Sequence, residues 1–418
     1  MTQRLKGFSL EDHLAARARW EPLLDAWAHV EDAGALRQAD HLSGPLAGVP
    51  FGIKDVIDVQ GQPSRYGSEA FEDAQPSETE SPVVTALRDA GAIPVGKTRS
   101  TEFAFIDPTT TRNPYDPKRS PGGSSSGSGA VVGAGVVPFA LGTQTAGSLC
   151  RPATYCGAYS YKPGLGVLPR DGMSPLSPSF DAIGVIAQSA DWLEKIYDFL
   201  AAAFEIPQSA PAVARPLRIG FVNVPDQQPD DGMVAMISRV RNVLSDAGHA
   251  IVDVDTPVSF DDIIQAHRTV MLYEMAWELR PRVGGREGLL KPLFRAALAE
   301  GAEIPSDQLD QTVQWLTLAR ENFWSRLSAY DLLMAYPVPG AAPVGLTTTG
   351  DQTYLTPWTA MGGPLISVPS GLDRDGMPLG ILLATPPGQD SYLMGEAMRL
   401  AGLLPEIATP ALPVKVTA

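Results

Sequence analysis

Histidine, cysteine and lysine are scarce in this sequence of 418 residues: five, two and eight. The five histidines (His13, His29, His41, His249 and His267) form no cluster with cysteine or glutamate at ligand spacing, which excludes a zinc site. None lies in an apolar, glycine-rich surround, so each is read as an ordinary surface or helix position. Cys150 and Cys156 have five residues between them, neither a CxxC pair nor a disulfide framework. Two buried thiols in a reducing compartment is the reading. Long apolar runs are missing too. Residues 130–141 are the longest nearly apolar stretch, interrupted by Gly and Pro, where a bilayer span needs about 20. The first 20 residues are polar and charged and carry no secretory apolar region. A cytoplasmic protein without a membrane partner is expected. Positive charge is in deficit, 32 Lys and Arg against 47 Asp and Glu, for a net charge of −15. With no basic stripe to offset it, a nucleic-acid partner is not expected.

What is present suffices for a large core: 44% hydrophobic and 19% charged residues exclude a disordered chain. Residues 1–45 have apolar positions at roughly helical spacing, from Leu14 to Trp27. Residues 47–59 read as a buried strand with a lysine inside it. Residues 82–89 read as a helix ending at Gly91, and 92–95 as a strand. Residues 120–150 contain no charged side chain, eight glycines and six serines, yet interleave Val131, Val132, Val136, Val137, Phe139 and Leu141. A flexible linker has no use for that apolar content. A Ser/Gly loop, a small-residue helix near 128–135 and a strand near 137–141 are expected, all buried. Residues 217–222, 234–246 and 250–254 read as strand, amphipathic helix and strand, which implies a parallel pair. Residues 258–330 read as a mainly helical covering segment. The sum is α/β, one large sheet covered by helices.

Two motif matches fail on context. Gly91-Ala-Ile-Pro-Val-Gly96-Lys97-Thr98 has the form of a phosphate loop. A helix precedes it, the supposed loop is strand-like, and its proline removes an N–H from the cradle. Gly123-Ser-Ser125-Ser-Gly127 has the form of a nucleophile elbow, but a loop precedes it and no histidine is placed to act as base. A serine-rich site then needs another base. Lys54 sits in Val49-Pro-Phe-Gly-Ile-Lys-Asp-Val-Ile57, where burial disfavours the ammonium and can turn the amine into a general base. A structural lysine paired with Asp55 or Asp58 is equally compatible with these residues.

Gly52-Ile-Lys54-Asp55, Pro121-Gly-Gly-Ser124-Ser125-Ser126-Gly127-Ser128 and Gly142-Thr-Gln-Thr-Ala-Gly-Ser148-Leu-Cys-Arg151-Pro152 resemble the amidase signature family. So does Gly96-Lys97-Thr98 followed by Glu102-Phe103. The likeness is strong over 45–190 and resumes over 357–383. It implies one amidase domain over residues 1–418: N-terminal helices in 1–45, the signature core in 46–190, and the cover in 258–330. It implies an α/β/α sandwich around a large central mixed sheet, and a Ser–Ser–Lys triad. The nucleophile would be Ser148, the bridging serine, held in a cis peptide, would be Ser124, and the general base Lys54. Ser125 would support the network. Thr145, Ala146, Gly147 and Ser148 would offer backbone N–H groups to the oxyanion. No cofactor or metal would be required.

Departures are visible. The commoner T-D-x-G-G-S block has Gln144 and Ala146 in place of the acid and one glycine. Arg151 lies three residues after Ser148 rather than two, an arrangement similar to the malonamidase-type branch, whose arginine holds the carboxylate of a small acid amide. Bordering an uncharged stretch, Arg151 is suited to a bidentate carboxylate clamp; a structural ion pair is the alternative. Gln188 stands where the family often has arginine, and Ala335-Tyr336-Pro337 departs from its commoner Thr-Pro. The expected activity is hydrolysis of a small non-peptide amide through a serine acyl-enzyme, releasing ammonia or an amine. A carbamate, ester or aryl-amide hydrolase, and an amidotransferase subunit or non-catalytic assembly partner, are the alternatives. A homodimer is left open.

Overall fold

Short β-branched and apolar runs supply strands, and longer 3.6-period segments supply the helices around them. In the computed structural model, which describes residues 8–31, 43–223 and 228–412, eleven strands form one sheet. They are β1 (Trp27–Val30), β2 (Pro50–Lys54), β3 (Ile93–Thr98), β4 (Phe139–Gln144), β5 (Tyr159–Lys162), β6 (Ala182–Ala187), β7 (Arg218–Val222), β8 (Ala250–Val254), β9 (Leu332–Ala335), β10 (Leu365–Leu372) and β11 (Pro378–Ala384). Their order is β1-β3-β2-β4-β6-β5-β10-β11-β9-β7-β8. β2 runs parallel to β3 and β4, and β7 parallel to β8 and β9, while the pairings from β4 through β6, β5, β10, β11 to β9 are antiparallel. The sheet is therefore mixed and flanked by helices.

The N-terminal segment corrects the helical expectation. A helix occupies Leu10–Leu24, closed by Asp25 in the left-handed conformation at φ +48°. Trp27–Val30 is a strand, antiparallel to β3 through Trp27↔Thr98 and His29↔Lys97. Residues 1–7 and 32–42, which that expectation also spans, lie outside the described residues. The strand within 47–59 is shorter than expected, and Lys54 ends it rather than lying inside it. The small-residue helix is Ser126–Gly133, two residues earlier than expected, and the strand after it is β4. Proline at 138 delays that strand, since it cannot donate to a central ladder.

The cover consists of helices Phe260–Val283, Pro292–Ala302 and Ser306–Arg326. Phe260, Ile263, His267, Val270, Met271 and Met275 bury one face of the first, at the spacing of an apolar stripe. A histidine thus occupies a core position. Among the described residues no helix is long and apolar enough to cross a membrane. Cys150 and Cys156 are buried free thiols.

Candidate active site

β2 and β4 are parallel neighbours, so their carboxyl ends lie on the same side of the sheet, the side on which open α/β sheets place their ligands. Lys54 is the last residue of β2, and β4 runs through Thr143 into the 145–148 loop. Lys54 Nζ lies 2.6 Å from Ser124 Oγ and 2.6 Å from Thr143 Oγ1. The Gly123–Ser124 peptide is cis. Neither Asp55 nor Asp58 pairs with Lys54; Asp55 is taken by a second buried lysine, Lys97, at 3.6 Å. That ion pair also settles the phosphate-loop match, because Gly96-Lys97-Thr98 is the end of β3 rather than a loop. Burial drives the Lys54 ammonium well below its ordinary 10.5; the charge of Asp181 opposes this shift and that of Arg151 adds to it.

Ser148 follows the loop and is 7% exposed, against 1% for Ser124 and 0% for Lys54. It is the member of the three that meets the outside. The Ser125 N–H donates to the Ser148 carbonyl at 3.2 Å, holding the two serine segments together. Ser125 Oγ lies 3.3 Å from both the N and O atoms of Thr143. It reaches them only because residue 142 is glycine, where a Cβ would stand 2.8 Å from that hydroxyl.

The carbonyls of the loop are fixed one by one. Thr145 O accepts from His267 Nε2 at 2.8 Å and Ala146 O from the Thr359 hydroxyl at 2.5 Å. Gly147 O accepts from Arg151 N at 3.0 Å, and Ser148 O from Ser125 N. In a planar trans peptide the N–H points opposite to the carbonyl. The N–H groups of Ala146, Gly147 and Ser148 are thereby turned away from these partners. The Thr145 hydroxyl donates to Asp181, which also accepts from Leu176 N and Ser177 N at 2.9 Å. Burial lifts Asp181 to about 6 against the pull of these bonds. Gln144 explains its own departure from the acid. Its Oε1 accepts from Leu149 N and Cys150 N, and its Nε2 donates to Thr359 Oγ1 at 2.9 Å. An ionised carboxylate has no proton for that third bond.

Arg151 is buried beside the loop. Nη2 donates to Gly123 O at 2.7 Å and to Thr349 Oγ1 at 3.3 Å. Among the described residues Nε and Nη1 are buried without an acceptor, and no ion pair forms to Arg151. Gln188, by contrast, leaves the site and donates to Thr409.

His267 corrects the sequence reading. It is buried, stacks on Phe180 with ring centroids 4.3 Å apart, and is pushed down to about 4 by burial. Thr143, Asp181, His267 and Thr359 were not singled out from the sequence. Thr143 stood inside the Gly142–Ser148 block, and Asp181 and Thr359 lay in the wider stretches 45–190 and 357–383 without being marked; His267 reaches the site from outside any such stretch.

A buried amine against a serine hydroxyl, beside a loop of pinned peptides on a mixed α/β sheet, is an arrangement suited to a serine–lysine type of hydrolase. The Amidase family model matches residues 10–394, and the chain belongs to that family, as a hydrolase of amide carbon–nitrogen bonds. A glutamyl-tRNA(Gln) amidotransferase subunit from Synechococcus sp. (strain RCC307) is 32% identical, covering 93% of this chain and 92% of the relative. The protein of the same name from Rhodopirellula baltica is 29% identical over 93% and 91%. A peptide amidase in complex with the competitive inhibitor chymostatin superposes with a TM-score of 0.81 at 25% identity, covering 96% and 94%. The fold of a 6-aminohexanoate cyclic dimer hydrolase complexed with substrate matches at 0.88, at 24% identity over 96% and 95%.

Proposed function

We propose that this enzyme hydrolyses a small acid amide through an acyl-enzyme on Ser148, with Ser124 as proton bridge and Lys54 as general base. One observation carries the reading: a fully buried lysine, without an ion-pair partner among the described residues, stands 2.6 Å from a serine hydroxyl. Burial favours the neutral amine. In that form Nζ donates to Thr143 and accepts the Ser124 proton, while Ser124 accepts that of Ser148. Ser148 Oγ forms the new bond to the carbonyl carbon. The oxyanion is received by the N–H groups turned out from 146–148. As the C–N bond breaks, the same chain returns a proton to the leaving nitrogen. Water then repeats the sequence and releases the acid. The unpaired Nε and Nη1 of Arg151 favour a substrate carboxylate, since buried N–H donors left without acceptors are costly. The free buried thiols fit a reducing compartment, which we take to be the cytoplasm.

Names of the curated relatives favour a second reading, a component of an amidotransferase. The charge of −15 speaks against docking a polyanionic RNA.

A hydrolysis panel of malonamate, propionamide, benzamide and phenyl carbamate, read by ammonia release, tests the proposal. Malonamate is expected to be preferred by the isolated chain, and Ser148→Ala to abolish its turnover while leaving the fold intact. Arg151→Met should raise the KM for malonamate at least about tenfold more than for propionamide. Preference for a neutral substrate would refute the acid-amide assignment. Turnover surviving in Ser148→Ala would move the nucleophile elsewhere.

A further inference from the structure

We propose that His267 is a positioning residue for the reaction: its Nε2–H holds the Thr145 carbonyl and so aims the Ala146 N–H at the developing oxyanion. The inference rests on the reading of Ser148 as nucleophile. A carbonyl only accepts, so the contact at 2.8 Å requires the proton on Nε2. Rotating the 145–146 peptide plane would lose that bond and swing the Ala146 N–H away from the crevice.

Two features hold the imidazole and a third holds the residue it bonds. It sits on the buried stripe of the helix Phe260–Val283. Its face lies on Phe180. The next residue, Asp181, grips the Thr145 hydroxyl. Thr145 is therefore held at its side chain by Asp181 and at its carbonyl by a histidine resting on the residue before Asp181. The neighbouring peptide is held in the same way by Thr359 at Ala146 O. The covering segment thus enters the chemistry through the backbone without touching the reacting atoms. A base role is excluded by the same geometry, because the nitrogen facing the loop is a donor.

His267→Phe keeps a ring over Phe180 and removes the donor. His267→Gln keeps a donor amide at similar reach. Both are assayed on the best amide of the panel, with Ser148→Ala in parallel and unfolding midpoints measured for each. A misaimed oxyanion donor should lower kcat about 10- to 100-fold with KM within about threefold, and Gln should recover kcat to within about fivefold of wild type. Should the Phe variant not fold, His267→Met, also without a donor, takes its place in the comparison with Gln. A donorless variant with wild-type kcat, a loss confined to KM, or a Gln variant no better than the donorless one overturns the positioning role. If Ser148→Ala is inactive in those cases, the nucleophile reading stands and only this inference falls. If Ser148→Ala turns over, both fall.

Discussion

Two charges bracket the amine of Lys54 and act on it with opposite sign. Asp181 holds the ammonium form up and Arg151 presses it down, both beneath a dominant burial effect. Activity that requires the neutral amine is lost as pH falls through the Lys54 pKa, which lies well under 10.5. Asp181→Asn removes the supporting charge, so the acid limb of kcat/KM against pH should move to lower pH. Arg151→Met removes the opposing charge, so the limb should move to higher pH. Profiles that shift in the same direction, or not at all, would detach the limb from Lys54. Lys54→Ala itself should lower kcat/KM by about 10²- to 10⁴-fold, the usual worth of a positioned general base. Of this site, the parts written in contiguous blocks were legible: Lys54, Ser124, Ser148 and Arg151 stand in short, unusual strings. His267 stands at a helix position as read, but its place in the core was missed for a physical reason. Its neighbours Gln265, Ala266, Arg268 and Thr269 resemble any amphipathic helix, and only packing tells that the imidazole faces the core rather than water.

The helix Ser126–Gly133 shows why glycine is dense in the uncharged stretch. A Cβ at Gly133 would stand 2.2 Å from the Cys156 carbonyl, and one at Gly127 2.3 Å from the Ala26 carbonyl. These are backbone contacts, which cannot step aside as a flexible side chain does. Gly133→Ala should destabilise the protein by about 3 kcal/mol, as overpacking does. Gly288→Ala, with nothing within 4 Å and no left-handed φ, should stay within about 0.5 kcal/mol. Denaturant midpoints of the two variants decide; equal midpoints would mean the helix has room to move. At this scale the sequence announced five of the eleven strands described and misplaced several of their ends. The strand pair β7 and β8 and the helix Pro82–Asp89 were legible from period and punctuation. Trp27–Val30 was not, because four residues are too few for any period to declare itself, and its strand character comes from pairing with β3.

Across the whole molecule, chain order and sheet order diverge. β10, from residues 365–372, lies between β5 and β11. A fragment ending at residue 203 would keep all three triad candidates yet leave β5 with an open edge. It should be insoluble and without amide turnover; a soluble, active fragment would show that the signature region suffices by itself. No local pattern in the sequence reports this interleaving, because strand neighbours so far apart share no periodic signal.

The pinned loop has a temporal consequence. During synthesis Lys54, Ser124 and Ser148 leave the ribosome early. The donors that orient the peptides beside Ser148 come much later, His267 more than a hundred residues on and Thr359 about another ninety. On the roles proposed above, the loop beside Ser148 is aimed only after both of these donors have been made.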